Sequence, residues 1–85
     1  MKHVTVYTQP HCNYSASLIH SLNSDNVNKD IEIREKCISD PIHLAEALTY
    51  RALRIPLTVV DGEVFSGYEL TTARRALKAA REGGE

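Results

Sequence analysis

Cys12 is the residue on which chemistry can turn. It follows a turn signal, Thr8-Gln9-Pro10-His11, and opens a stretch that reads as helix, with Ser15 three residues on. A thiolate in the first turn of a helix is stabilised by free backbone N–H groups and by the positive end of the helix dipole, which lowers its pKa. Such a thiolate attacks disulfides. A redox C-x-x-C motif would place a second thiol at position 15. Ser15 supplies none, but its hydroxyl can donate a hydrogen bond toward the Cys12 sulfur. His11 adds positive charge when protonated, and Tyr14 can shield one side of the thiol or meet a partner surface. The competing reading of Cys12 is a buried, inert cysteine.

The other candidates are more widely spaced. Cys37 falls in the loop after the second strand, beside the sheet edge that carries Cys12. It is either a resolving thiol or a bystander, because a disulfide demands more than a shared edge. Ile55-Pro56 stands directly before the third strand, where proline is tolerated, and Arg54 beside it can face an anionic ligand. Gly67, between a hairpin and the last helix, permits positive φ or close approach of a ligand to the backbone. Amides at the start of that helix can hold a carboxylate. His3, His20 and His43 have no metal-ligand spacing, and two cysteines are too few for a structural zinc site, so no metal is expected.

The elements that position these residues read in the order βαβαββα. Val4, Val6 and Tyr7 mark a first strand, ended by Pro10. Ala16, Ile19 and Leu22, with Leu18 beside them, form a helical stripe, and Asn23 to Asn28 reads as its exit turn. Ile31 and Ile33 alternate with charges in a strand over about 30–35. Asp40-Pro41 starts a helix whose buried stripe is expected to be Ile42, Ala45 and Leu48, ending between Tyr50 and Leu53. Leu57 to Val60, Asp61-Gly62 and Glu63-Val64-Phe65 form a hairpin. A last helix runs from Glu69 or Leu70 to Ala80, with Leu70, Ala73, Leu77 and Ala80 on one face, and stops at Gly83-Gly84. Two strands joined through a helix are parallel and right-handed. The expectation is an α/β fold, a four-stranded mixed sheet flanked by three helices.

The chain has 85 residues and a formal net charge of −1, which bounds it to a single domain over residues 1–85. That charge gives no field for a phosphate backbone, so no nucleic-acid partner is expected. No apolar run reaches the roughly 18 residues of a membrane span. The start, Met1-Lys2-His3-Val4-Thr5, lacks a secretory pattern. A reducing cytoplasm is therefore expected, where a reactive cysteine means exchange chemistry rather than stapling.

Three segments together resemble a known family. The run from Tyr7 to Ser15 is similar to the active-site segment of glutaredoxins, and of the small glutaredoxin-like hydrogen donors of ribonucleotide reductase. Arg54-Ile55-Pro56-Leu57 through Glu63 resembles their cis-proline loop and hairpin, and Ser66-Gly67-Tyr68-Glu69 their glycine turn. The resemblance covers nearly the whole chain and implies the thioredoxin fold. It makes Cys12 the nucleophile, with Ser15 in the motif, and Ile55-Pro56 a cis bond whose Ile55 backbone pairs with a glutathione or peptide cysteine. It sets Gly67, Tyr68 and Glu69 at the γ-glutamyl end of glutathione, and Gln9, His11, Tyr14 and Arg54 around the substrate. Gln9 stands where many glutaredoxins carry lysine, and the paired aspartates after the glycine turn are only partly matched by Tyr68-Glu69.

The implied activity is a thiol–disulfide oxidoreductase reducing protein or glutathione mixed disulfides through Cys12 by a monothiol mechanism. Glutathione would be a co-substrate rather than a tightly bound cofactor, or a redox partner protein would take its place, and the chain would act as a monomer. Two alternatives stand beside it: a redox-inactive binding module, and a glutathione-dependent iron–sulfur carrier. The Asn13-Tyr14 pair and the missing tryptophan-proline signature near Arg54 disfavour the carrier.

Overall fold

The structure is a computed structural model that describes residues 2–27, 29–50 and 54–83. The strands are β1 (Lys2–Thr8), β2 (Ile31–Cys37), β3 (Leu57–Val60) and β4 (Glu63–Ser66). The helices are α1 (Asn13–Asp25), α2 (Pro41–Thr49) and α3 (Leu70–Glu82), so the order is the expected βαβαββα. The sheet runs β2-β1-β3-β4. β1 and β2 are parallel, with Thr8 opposite Cys37, and β1 and β3 are antiparallel, with Tyr7 opposite Leu57. The Asp61-Gly62 hairpin joins β3 to β4, both turn residues at positive φ (50° and 83°), as a two-residue turn between twisted strands requires.

Strand alternation divides the core in two. Val4 and Val6 point to one face, where they pack with Leu18 and Leu22 of α1, Ala73, Ala76 and Leu77 of α3, and Phe65. Leu18, Leu22 and Leu77 are essentially inaccessible, and burial of each contributes roughly 1.5–3 kcal/mol. Tyr7, Leu57 and Val59 face the other way, onto Ala47 of α2, with Ile38, Tyr50 and Ile55 around them.

Several expectations are corrected here. The stripe that α1 buries is Ser15, Leu18 and Leu22; Ala16 is exposed and Ile19 only half-buried. α1 also continues through Asn23, Ser24 and Asp25 instead of turning there. Tertiary contacts extend it: Arg74 of α3 meets Asp25 at 2.9 Å, and the Asn26 side-chain amide donates to Ile31 O at 2.6 Å. Asn28 lies outside the described residues.

In α2 the apolar stripe faces solvent, with Ile42 68% and Leu48 60% exposed and Ala45 exposed beside them. The helix docks through Ala47 and through polar contacts. The Tyr7 hydroxyl and Lys36 Nζ both donate to Glu46 Oε1 at 2.9 Å, and His43 Nδ1 lies 3.1 Å from Cys37 O. Tyr7 is buried on that face and its hydroxyl needs a partner, so the helix turns Glu46 rather than Ile42 toward the sheet. α2 ends at Thr49; its expected extension over residues 51–53 lies outside the described residues, as does Gly84. In α3, Leu70 is 39% exposed, while Thr72, Ala73, Ala76, Leu77 and Ala80 are buried.

Candidate active site

One end of the sheet gathers the C-terminal ends of β1 and β2, the start of β3 and the end of β4. The register of Thr8 with Cys37, Tyr7 with Leu57, and Leu57 with Ser66 sets them at one level. Open α/β sheets bind ligands at such an edge. From it departs the Gln9–Cys12 turn, with His11 at φ 56°, a left-handed conformation that histidine adopts more readily than most side chains. Cys12 then stops being turn and becomes the N-cap of α1 (φ −101°, ψ 111°).

The Cys12 sulfur takes the place of a capping oxygen. The Ser15 N–H donates to Sγ at 3.4 Å, so the orphan amide of the first turn is satisfied by the thiol. The thiol is free and half-buried, and its pKa is lowered. The Ser15 hydroxyl contributes most to the lowering, then the Ser15 N–H; partial burial opposes them, and the Gln9 side chain and the Tyr14 backbone add to the lowering. The Ser15 Oγ is itself buried and lacks a formal hydrogen-bond partner. The N–H bond is thus already made, whereas the hydroxyl contribution is that of a donor able to rotate onto the sulfur once charge develops there.

The expected site residues fall into two concavities, both of which take lining residues from the Cys12–Ser15 segment. Gln9, His11, Cys12 and Ser15 line a hollow of about 330 Å³ with Cys37. Tyr14, Arg54, Ile55, Pro56, Gly67, Tyr68 and Glu69 line a groove of about 530 Å³. The Ile55-Pro56 bond is cis, as the resemblance implies. Gly67 has φ 115°, and a Cβ there would sit 2.6 Å from Glu69 Oε2 and 2.8 Å from Thr72 Oγ1, which accounts for glycine. Among the described residues lining the groove, Arg54 carries the positive charge and Glu69 the negative.

Sequence reasoning missed several partners. The Tyr14 and Tyr68 rings stack at 4.3 Å between centroids with 29° between planes, joining the motif to the glycine turn over the groove. Thr8 and Glu35 belong to the hollow, and Thr8 Oγ1 donates to Glu35 Oε2 at 3.2 Å. Period-two alternation in a parallel register would have found both. Cys37 is corrected as well: it is the last residue of β2, not part of the following loop. Its Sγ lies 3.1 Å from Ser39 Oγ. Among the described residues no group of three or more His, Cys, Asp and Glu side chains is placed to hold a metal ion, and no helix is long and apolar enough to cross a membrane.

No family model and no curated protein matches the chain. Solved structures do. A single-residue variant of the thioredoxin-like protein BC3987 matches with a TM-score of 0.76 at 26% identity, over 92% of this chain and 97% of that one. The chain has a thioredoxin-like fold. The parent BC3987 matches with a TM-score of 0.61 at 21% identity, over 86% of this chain and 97% of its own. The glutaredoxin-like NrdH-redoxin from Escherichia coli, a protein with a thioredoxin-like activity profile, gives 0.57 at 20%, over 86% and 92%. In a thioredoxin fold, a half-exposed thiol of lowered pKa at the N-cap of α1 supports thiol–disulfide redox chemistry in general.

Proposed function

We propose that this chain is a thiol–disulfide oxidoreductase in which Cys12 reduces protein or glutathione mixed disulfides by a monothiol mechanism. The observation that carries the reading is the half-buried Cys12 sulfur at the N-cap of α1, held by the Ser15 N–H. On a glutathionylated protein, the Cys12 thiolate attacks the glutathione sulfur, and the protein thiolate leaves and takes a proton from solvent. A second glutathione thiolate then attacks the same sulfur, giving glutathione disulfide and restoring the Cys12 thiolate. A redox partner protein can supply that second thiol instead. Glutathione is a co-substrate in this scheme, and one chain is sufficient.

The groove beside the thiol has the chemistry for such a substrate. Arg54 complements a carboxylate, Glu69 complements the ammonium of a γ-glutamyl group, and in this scheme the Ile55 backbone before the cis bond pairs with an extended cysteine. Gln9 and His11 line the hollow that holds the sulfur. The test is turnover of a glutathionylated peptide by reduced glutathione, with and without the chain. Turnover that Cys12→Ser abolishes supports the proposal.

A second reading, a binding module without redox turnover, is favoured by one observation: the larger groove is lined by Tyr14 and not by Cys12. Peptide binding that survives Cys12→Ser, in a chain whose native form shows no turnover, would select it.

A further inference from the structure

β1 and β2 are parallel and in register, Val6 opposite Glu35 and Thr8 opposite Cys37. Residues of equal parity share a face, so Glu35 and Cys37 lie on the side of the sheet that carries Val4, Val6 and α1. The Thr8–Glu35 hydrogen bond lies on that side. Cys12 caps α1 there, just beyond the end of β1. Both thiols consequently line one hollow of about 330 Å³. Both are free and half-buried. Ser39, through its hydroxyl and then its N–H, lowers the pKa of Cys37 against partial burial and the charge of Glu35. Nothing in the exchange chemistry described so far uses this second thiol.

We propose that Cys37 is the resolving thiol for Cys12, replacing the one that Ser15 cannot supply. The role rests on Cys12 being the attacking thiol, as proposed above. With Cys12 in a mixed disulfide, the Cys37 thiolate attacks the Cys12 Sγ. A Cys12–Cys37 bond forms, the bond from Cys12 to the substrate sulfur breaks, and the substrate leaves as a thiolate that is protonated by solvent. The chain has then been oxidised by two electrons and the substrate disulfide reduced by two. Two thiols of an external reductant, such as glutathione, return the pair to the reduced state. Closure brings the Cα atoms to roughly 4.4–6.8 Å, drawing the first turn of α1 and the end of β2 together across the hollow. The groove lined by Tyr14, Pro56 and Tyr68 shares none of its lining residues with that hollow.

The experiment treats the reduced full chain, dilute enough to stay monomeric, with glutathione disulfide. Samples are trapped by acid and alkylation and read by intact mass and peptide mapping. The wild-type chain is expected to pass through a transient Cys12–glutathione adduct to a monomer lacking two hydrogens, with the Cys12 and Cys37 peptides linked. Cys37→Ser and Cys37→Ala are expected to stop at the adduct. A wild-type chain that also stops at the Cys12 adduct, carries glutathione on both cysteines, or goes only to linked dimers overturns the role of Cys37 and leaves Cys12 as the attacking thiol. A Cys12 that takes up no glutathione while Cys37 does overturns both.

Discussion

Ser15→Ala separates what the motif serine does for the fold from what it does for the thiol. Ser15 is 4% exposed and its Oγ is a buried oxygen without a hydrogen-bond partner. A buried unsatisfied hydroxyl costs about 1–3 kcal/mol, and alanine is also the better helix former by a few tenths of a kcal/mol. Against this stands a small loss of packing around the removed oxygen. Because the same hydroxyl also serves the Cys12 sulfur, the net expectation is a gain of up to about 1 kcal/mol, worth roughly 4–8 °C in Tm for a domain of this size.

The thiol moves the other way. The hydroxyl is the largest contribution to the lowered Cys12 pKa, so its removal raises that pKa. A folded pKa below the unfolded one adds stability above the unfolded value, and this is lost as pH falls through the folded value. Ser15→Ala gives up part of that alkaline contribution. Its advantage is therefore largest at acidic pH and narrows as pH rises through the titration of the thiol. Thermal melts in a non-thiol reductant across that range, with the pH dependence of iodoacetamide alkylation, measure both effects. A variant less stable than the wild type at acidic pH, or an unchanged alkylation profile, refutes the reasoning.

Two further outcomes follow from the same geometry. Gly67→Ala forces a side chain into φ 115° against Glu69 and Thr72, and is expected to cost roughly 1–3 kcal/mol in urea unfolding; it should raise KM for a glutathionylated peptide while Cys12 alkylates at its usual rate. Burial first, then the bond to Glu46, push the Tyr7 hydroxyl from 10.0 up to about 12. The folded chain therefore holds a proton that the unfolded chain loses, and stability should decline between pH 10 and 12, a decline that urea midpoints should find flattened in Tyr7→Phe.

Local chemistry was the most legible part of the sequence. Leu57–Val60, the Asp61-Gly62 turn and the Asp40-Pro41 helix start stand where their residue types put them, with Asp40 Oδ1 accepting the Ile42 N–H at 2.9 Å. So did the thiol at a helix start and the cis bond at Ile55-Pro56, the latter through family resemblance alone. What periodicity could not tell was phase against a partner. In α2, one stripe carries Ile42, Ala45 and Leu48, and its neighbour carries His43, Glu46, Ala47 and Tyr50. The second faces the sheet, with Ala47 buried, because the Tyr7 hydroxyl and Lys36 draw Glu46 inward. The placement of Cys37 was missed by a shorter distance, since the polar residues Glu35 and Lys36 hid the last residues of a strand paired through Thr8. The division of the site into a hollow and a groove depends on how Tyr14 meets Tyr68, a contact between residues far apart in sequence.

The middle position of β1 also governs when the site comes into being. β2 reaches it through a local crossover, but Tyr7 with Leu57 and Thr5 with Val59 are pairings across about fifty positions of chain. Closing so long a loop precedes any return from the contacts it brings. Until that ladder closes, the Cys12 turn and the Pro56 corner share no edge of the sheet. Recovery of substrate turnover during refolding should then follow docking of the second half of the chain rather than winding of α1. The same dependence sets the consequence of a nick: a chain that loses β3 and β4 to a protease keeps its nucleophile and loses the surface that would present a substrate to it.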